Sequence, residues 1–177
     1  TPEPFQSNMA VRKALIERYF YDKEQGIYLD YNFVDGKFSD IVSIISLYPY
    51  AFGISDDIDG LKKVLSGLEF EYCVSTAPYR EDTIFYQWDY PCMWAPTLYF
   101  ALIALERLGL DEDWKRISEK YLRTVEDGFQ KTGRLWEKYD AVTGGIGYSN
   151  EYETPEMMGW TAGVYVYFDE ELKNENT

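Results

Sequence analysis

The chain has 177 residues, 46% of them hydrophobic and 27% charged, which fits one globular domain with its own core and argues against a disordered tail. A net charge of −14 argues against nucleic acid and anionic membrane surfaces as partners, because phosphate binding needs clustered Lys and Arg. Histidine is absent, which excludes Ser-His-Asp and Cys-His nucleophile systems and every histidine-based metal site.

The first forty residues are predicted to form a helix followed by a hairpin. Apolar residues at helical spacing over residues 7–20 indicate the helix, with Ser7 or Asn8 as its cap. Residues 22–33 alternate weakly between apolar and polar, which indicates a loop or a short hairpin strand. A turn is predicted at residues 34–37, whose sequence is VDGK.

Two further helices are predicted before residue 70. Residues 39–51 are apolar, and Pro49 is expected to kink or end this helix. Residues 56–70 open with acids that suit a helix N-terminus. One face of that second helix is predicted to be apolar and consists of Ile58, Leu61, Val64, Leu65 and Leu68.

The second half contains three more helical segments. Residues 95–110 are apolar almost all round, so this helix is expected to be buried and to end near Gly109. Residues 111–133 are amphipathic, with Asp111 as the predicted cap. Residues 157–168 form a last apolar segment, and the tail after them is predicted to be frayed.

Two long loops, residues 70–94 and 134–158, separate these helices, and both carry Trp, Tyr and acidic residues. Long loops in compact domains are usually functional, so the loops are predicted to form one site at one end of a helical scaffold. About six helices joined alternately by short turns and long loops are typical of helical-hairpin toroids as well as of bundles.

Without histidine, acid–base chemistry falls to carboxylates, tyrosine or lysine, and glycoside hydrolysis uses paired carboxylates. Glu137 lies between Trp136 and Tyr139, where partial desolvation suits a general base; alternatively it is a surface acid paired with Lys138. Glu151, in the same loop, could face Glu137 across a bend or be a solvated loop acid.

The first loop contains FYQWDYPCMWAP (residues 85–96), in which aromatic residues surround one acid. Such a cluster can stack a sugar while its polar tips stay in water. For Asp89, a turn-forming role and a contact to a sugar hydroxyl carry equal weight, and Trp88 and Trp94 could instead plug helix ends.

Taken together, the loop motifs resemble those of the trehalase family. QWDYPCMWAP is similar to the family signature Gln-Trp-Asp-x-Pro-x-Gly-Trp-Ala-Pro. EKYD follows at the family's distance, and then EYETPEMMGWTAGV, which resembles Glu-Tyr-x-x-Gln-x-Gly-Phe-Gly-Trp-Thr-Asn-Gly-Val. Upstream, YFYDKEQGIYLDYNF and SIISLYPYAFG are similar to further trehalase segments. The resemblance runs from about Tyr19 to Tyr165, nearly the whole chain.

The resemblance implies an all-α fold, part of an (α/α)6 toroid of the inverting α,α-trehalase type, made of C-terminal helical hairpins with long aromatic loops. In that family the Glu of EKYD is the general base, which matches Glu137, and the Glu of the Glu-Tyr motif helps to place the water, which matches Glu151. The residues that match the sugar pocket are Gln87, Trp88, Asp89, Trp94, Tyr139 and Trp160.

The chain departs from the family pattern in three places. Met93 stands at the signature glycine, GIGYSNEY replaces the glycine-rich GGGGEY, and PEMMGWTAGV lacks the Gln and the Gly-Phe of its counterpart. Hydrolysis of another α-glucoside by a related toroid enzyme is therefore an alternative to trehalose. A non-catalytic carbohydrate-binding module is an alternative of a different class.

The family's general acid is an Asp in a motif similar to DSGWDFS, and this chain has no such motif. Its length suits about half of a six-hairpin barrel, so residues 1–177 are expected to be the C-terminal portion of a single catalytic domain. The acid is then expected in a missing N-terminal part. The portion alone is expected to be inactive and to self-associate through an open apolar flank.

No metal or organic cofactor is predicted, and the expected ligand is a small sugar. Cys73 and Cys92 lack metal-ligand spacing and are expected to be reduced thiols. No apolar run approaches the ~20 residues of a membrane span, and no signal peptide is predicted within these residues. Because the first residue is Thr, the natural N-terminus is expected to lie elsewhere, which leaves cytoplasmic and secreted locations both open.

Overall fold

A computed structural model describes residues 3–81, 84–156 and 159–175. Within these ranges the chain forms helices α1 (Glu3–Phe20), α2 (Tyr48–Ala51), α3 (Ile58–Leu68), α4 (Ala95–Arg107), α5 (Asp111–Thr132) and α6 (Gly159–Glu175). Six two-residue strands form the antiparallel pairs β1 (Tyr21–Asp22) with β2 (Ile27–Tyr28), β3 (Tyr31–Asn32) with β4 (Lys37–Phe38), and β5 (Cys92–Met93) with β6 (Tyr139–Asp140).

Helix α4 is the centre of the packing and contacts α2, α5 and α6. Its apolar sequence buries residues on several sides, which confirms the prediction of a buried helix. It ends at Arg107, and Gly109 follows with a positive φ of 66°. The helices in the described ranges do not close into a barrel, so the molecule is an open arrangement of helical hairpins around this central helix.

The amphipathic pattern of α5 is also confirmed. Trp114, Ile117, Tyr121 and Val125 lie on one face and are at most 4% exposed. The helix begins at Asp111 itself, and Leu110 takes the N-cap position, so the prediction of Asp111 as the cap is wrong. Three acids in the first turn still suit the positive end of the helix dipole.

The other helix boundaries differ from the sequence prediction in three ways. Helix α1 begins at Glu3, so Ser7 and Asn8 lie inside it and do not cap it. Residues 39–51 are not one helix: a 3-10 turn over Ile44–Leu47 leads into α2, and Pro49 lies in the first turn of α2. Proline is tolerated there because first-turn amides have no intrahelical acceptor.

The C-terminal tail is helical to Glu175, so the prediction of a frayed tail is wrong. Phe168 and Leu172, one helical turn apart, are buried against the core and hold this turn in place. The segment predicted to precede it begins with Met157 and Met158, which lie outside the described residues.

The predicted hairpin and the predicted third helix are both present. The β1–β2 pair is followed by β3–β4, whose turn contains Gly36 with a φ of 66°, as VDGK predicted. The Asp57 carboxylate caps α3 by accepting a hydrogen bond from the Gly60 amide at 3.2 Å. Four of the five predicted apolar residues of α3 are buried, but Ile58 is 39% exposed.

Glu69, just after α3, ties that helix to α5. Its carboxylate accepts hydrogen bonds from Arg116 Nε at 2.9 Å, Arg116 Nη2 at 2.8 Å and Lys120 Nζ at 2.8 Å. Burial raises the pKa of Glu69, but the hydrogen bonds and charges of Arg116 and Lys120 outweigh it, so the pKa is lowered overall.

Glu69→Gln is expected to lower the free energy of unfolding by about 1–3 kcal/mol at pH 7, since three charge-assisted bonds are lost. A lowered native pKa gives stability that is complete above the unfolded value of about 4.3 and is lost as the pH falls through the native pKa. Urea unfolding at pH 7 and pH 3 measures this, with the exposed Glu71→Gln as the control. An equal loss at both pH values would contradict the prediction.

Candidate active site

The two long loops meet because β5 pairs with β6. Cys92 lies opposite Asp140, and Met93 lies opposite Tyr139. A bridge between Trp136 and Glu156 folds the second loop back on itself. The stretch that contains Gln87 to Trp94 therefore lies beside the stretch that contains Glu137, as the sequence predicted.

Glu137 is held by its backbone from two sides. Its amide donates to the carbonyl of Pro155 at 3.1 Å, and its carbonyl accepts from Trp160 Nε1 at 3.1 Å. The neighbouring carbonyl of Trp136 accepts from the Thr161 hydroxyl at 2.7 Å. Both Trp160 and Thr161 stand in the first turn of α6, so the start of this helix fixes the position of Glu137.

Glu137 is 9% exposed and Lys138 is fully buried, so they are not a surface pair. Lys138 Nζ lies 3.3 Å from Glu137 Oε2. It also lies 4.0 Å from the ring centroid of Tyr152 and 5.3 Å from that of Trp94. A buried ammonium group is costly unless it is paired, and here a carboxylate and two aromatic faces surround it.

Glu151 is connected to Glu137 through two other side chains. Its Oε2 accepts a hydrogen bond from the Gln87 amide at 2.6 Å, and its Oε1 lies 3.5 Å from Gln87 Nε2. Gln87 Oε1 lies 2.9 Å from the Tyr152 hydroxyl, which donates to Glu137 Oε2 at 2.5 Å. The two predicted catalytic acids thus belong to one network, although Glu151 is exposed and Glu137 is buried.

Three tryptophans form a wall beside this network. Trp88 stacks on Trp94 with ring centroids 3.9 Å apart and planes 14° apart, and Trp94 meets Trp160 edge to face at 5.6 Å. Trp94 is 2% exposed and its Nε1 donates to the Gln87 carbonyl at 2.6 Å. Trp88 and Trp160 are 49% and 36% exposed, so the surface offered to a ligand belongs to them.

Two of the predicted sugar-binding residues, Asp89 and Tyr139, make contacts within the protein that support the fold. Asp89 Oδ1 accepts from the Tyr90 amide at 2.8 Å, and its carbonyl accepts from the Cys92 amide at 2.9 Å, which shapes the turn before β5. Tyr139 is 1% exposed, so the structure does not bring it to the wall. Its ring fills the space that a Cβ at Gly128 would occupy, 2.8 Å from Cε1.

Sequence reasoning missed Lys138 as a buried residue and Tyr152 as a member of the site. Lys138 directly follows Glu137 in EKYD, and Tyr152 directly follows Glu151 in EYE. This position next to a predicted catalytic Glu was the sequence signal by which they could have been found. Burial, together with the hydrogen bond to the Glu137 carboxylate, raises the pKa of the Tyr152 phenol, so the hydroxyl keeps its proton and acts as a donor.

The two cysteines are buried, unreactive thiols. Cys73 and Cys92 are both free and buried. Burial raises the pKa of the Cys92 thiol to about 12, in spite of the nearby Lys138 charge, and the thiol donates to the Tyr148 carbonyl at 3.2 Å. In the described ranges, no three His, Cys, Asp or Glu side chains are placed to hold a metal ion.

The described helices include none that is both long and apolar enough to cross a membrane.

Comparison with known families identifies the chain's relatives. The family model described as Trehalase matches residues 1–173. A trehalase of Apis mellifera is 30% identical over 172 residues, which cover 90% of this chain and 27% of that protein. A periplasmic trehalase of Xanthomonas oryzae is 30% identical over 158 residues, which cover 86% of this chain and 27% of that protein. The chain thus spans about a quarter of the length of these relatives.

Solved structures show the same fold. The neutral trehalase of Saccharomyces cerevisiae superposes with a TM-score of 0.77 at 23% identity, over 93% of this chain and 30% of that one. A GH63 mannosylglycerate hydrolase of Thermus thermophilus gives 0.74 at 16% identity, over 96% of this chain and 40% of that one. These likenesses confirm the predicted fold class, an all-α part of an (α/α)6 toroid.

Proposed function

Because this chain belongs to the trehalase family, we propose that it carries the base side of the active site of a glycoside hydrolase. Its reaction is the inverting hydrolysis of an α-glucosidic bond, first of all that of α,α-trehalose. Residues 1–177 are then the C-terminal portion of one catalytic domain. The observation that supports this best is the buried Glu137 carboxylate, oriented by two donors and linked to Glu151 beside exposed tryptophan faces.

The proposed reaction is a single displacement. A water molecule attacks the anomeric carbon from the face opposite the glycosidic oxygen, so a new carbon–oxygen bond forms while the glycosidic bond breaks. Glu137 takes one proton from the water, and a general acid gives its proton to the leaving sugar. Glu151 helps to hold the water, and Trp88 and Trp160 stack the sugar ring. Gln87 and Asp89 border the pocket, and the buried Trp94 supports Trp88 by stacking on it. Tyr139 lies in the core and has no contact with the sugar.

The general acid is proposed to come from residues outside these 177. An inverting enzyme places its acid and base on opposite sides of the bond, roughly 6.5–9.5 Å apart. Glu151 is linked to Glu137 through Gln87 and Tyr152, and this link suits the placing of water beside the base better than protonation of a leaving group.

Hydrolysis of another α-glucoside is the second candidate, and Met93 favours it. Met93 replaces the glycine of the signature and is 1% exposed in β5, directly before Trp94, so its added volume can reshape the wall. Activity on a panel of α-glucosides decides between the two substrates. A non-catalytic sugar-binding module would bind these sugars without turnover in the intact protein.

Inversion predicts a particular anomer. When the intact enzyme hydrolyses α,α-trehalose, the first products should be one β-glucose and one α-glucose, since only the attacked ring changes configuration. Proton NMR within the first minutes, before mutarotation, measures this ratio. Release of the α-anomer alone would refute the inverting mechanism.

The isolated chain is also proposed to self-associate. Helix α1 is exposed along most of its length, and Met9, Val11 and Leu15 are 65%, 59% and 46% exposed. Beside it lies an apolar groove of about 230 Å³, lined by Ile16, Phe20, Ile41, Ile45 and Phe52 among others. This groove is separate from the tryptophan wall. In the intact enzyme, the part of the catalytic domain outside these residues is proposed to cover this face.

Large exposed apolar patches are rare on monomers, so sedimentation velocity of the isolated chain should show dimers or larger species. Leu15→Glu should shift the distribution toward monomer, and Glu24→Gln, at an exposed site in the β1–β2 turn, should not. A monomer at all concentrations would contradict the prediction.

A further inference from the structure

The two side-chain donors to the Glu137 carboxylate both reach one of its oxygens. Tyr152 donates to Oε2 at 2.5 Å, and Lys138 Nζ lies 3.3 Å from the same atom. The two oxygens of a free carboxylate have similar basicity. Here both donors contact Oε2, so the two oxygens differ in their hydrogen bonding. Oε2 is the oxygen that is held.

We propose that Lys138 and Tyr152 are positioning residues that fix Oε2 of Glu137 and leave Oε1 as the oxygen that receives the proton from water. The role of Oε1 rests on the proposed function. The holding of Oε2 by a buried positive charge and a phenol does not, because it is a property of this chain. The two statements can therefore be tested separately.

Lys138 has little freedom to leave this place. The residue is fully buried, so its ammonium group cannot turn to solvent without displacing its neighbours. A Cβ at Gly147 would lie 2.9 Å from Lys138 Cγ, which means that this glycine leaves room for the lysine stem. The Gly147 amide also donates to the Lys138 carbonyl at 3.0 Å. Gly147, in the segment before Glu151, thus leaves room for the lysine.

Tyr152 is held by the same lysine and by the other loop. The Lys138 ammonium lies 4.0 Å from the centroid of the Tyr152 ring, a cation–π contact. The Tyr152 hydroxyl lies 2.9 Å from Gln87 Oε1, and the Gln87 amide is bound by Glu151. Tyr152 therefore lies where the two loops meet, and its single proton is donated to Glu137.

During the reaction Oε1 would gain a proton and Glu137 would become neutral. Lys138 would stay positive, and Tyr152 would keep its proton and donate to a carbonyl oxygen in place of a carboxylate oxygen. No further proton donor or acceptor is needed at Oε2. The donors stabilise the ionised base before the reaction and prevent its rotation while the water is bound.

A merely structural ion pair would stabilise the loop without a specific effect on the base. Titration of the carboxyl group in the variants tests whether Lys138 and Tyr152 act on it, because the loss of an opposite charge 3.3 Å away disfavours the ionised form. The kinetics of the intact enzyme separate the two cases, because only a positioning role lowers kcat with KM nearly unchanged. Glu151 and Cys92 interact electrostatically with Tyr152, and Cys92 also interacts with Lys138, Asp89 and Asp140. The variants below leave these acids and the thiol unchanged.

The test follows the side-chain carboxyl signal of Glu137 by carbon-13 NMR in the 177-residue chain, assigned with Glu137→Gln. Lys138→Met should raise the titration midpoint by about 1–3 pH units, since an opposite charge is removed. Tyr152→Phe should raise it by less. Lys138→Arg should leave it near the parent value, as should Lys115→Met, which removes an exposed charge on α5.

An unchanged midpoint in folded Lys138→Met and in Tyr152→Phe would overturn the proposal. If Lys138→Met does not fold, Tyr152→Phe decides alone, because it removes one oxygen atom and keeps the ring. Folding of each variant is checked by near-ultraviolet circular dichroism.

The role of Oε1 is tested in the intact enzyme. Lys138→Met and Tyr152→Phe should lower kcat by roughly tenfold or more with KM nearly unchanged, a smaller loss than the 10²–10⁴-fold of the base itself. The acid limb of the kcat/KM profile should move to higher pH in both, and Lys138→Arg should restore it. If the NMR midpoint shifts in Lys138→Met or Tyr152→Phe but the Glu137→Gln enzyme keeps full activity, the proposed function is refuted and the holding of Oε2 is not. Parent-like kcat and acid limbs in these variants would refute the role of Oε1.

Discussion

Glu137→Gln in the intact enzyme is expected to lower kcat for trehalose by about 10²–10⁴-fold, the usual contribution of a general base. KM should change little, because an amide of the same shape still fills the site and the proton is taken only in the transition state. Initial rates over a range of trehalose concentrations measure both constants.

The change at Glu137 also removes the partner of the buried Lys138, so part of the loss could come from unfolding. Unfolding curves of the variant separate the two causes. Glu153→Gln is the matched control, since Glu153 is an exposed acid of the same loop. A Glu137→Gln enzyme that keeps most of its turnover would remove Glu137 from the mechanism.

The 177-residue chain alone is expected to show no hydrolysis of trehalose or of an activated aryl α-glucoside. Without a general acid on the far side of the bond, the leaving sugar would depart as an alkoxide, and the roles proposed for Glu137 and Glu151 are both on the side of the attacking water. Self-association would not change this, because a second copy brings the same residues.

Glucose release from highly purified chain, followed by a coupled assay over hours, gives the measurement. A preparation of Glu137→Gln serves as the blank for contaminating glycosidase. Turnover above this blank would show that a carboxylate of this chain acts as the acid, and Asp89 would be the first to test.

The parts of the fold that the sequence predicted well are those with a long-range apolar pattern. Helices α4 and α5 bury whole faces, so spacing alone located them. The predictions for the segment around Pro49 and for the C-terminal turn were wrong because the structure of both depends on tertiary contacts. Pro49 fits the first turn of α2 after a 3-10 turn, and the buried Leu172 keeps the last turn helical.

In the site, too, local sequence predicted some features and tertiary contacts decided the others. Motifs predicted that Glu137, Glu151, Trp88 and Trp94 belong together, and the β5–β6 pairing brings their loops together. Motifs did not show which neighbouring side chains face the network. Tyr139 is in the core, whereas Lys138 contacts the base, because strand pairing between distant loops sets these directions and local sequence does not encode it.

The stacked pair of Trp88 and Trp94 gives the protein an intrinsic optical signal. Two indole rings 3.9 Å apart and 14° from parallel are close enough for their electronic transitions to couple, and we expect a paired band in the ultraviolet circular dichroism spectrum. The exposed Trp88 is half of this chromophore, so a sugar ring bound on it, as we propose, would change the transition energies and the fluorescence quenching of the pair. Occupancy of the pocket can therefore be read without a label, and in an enzyme variant that performs no chemistry at all.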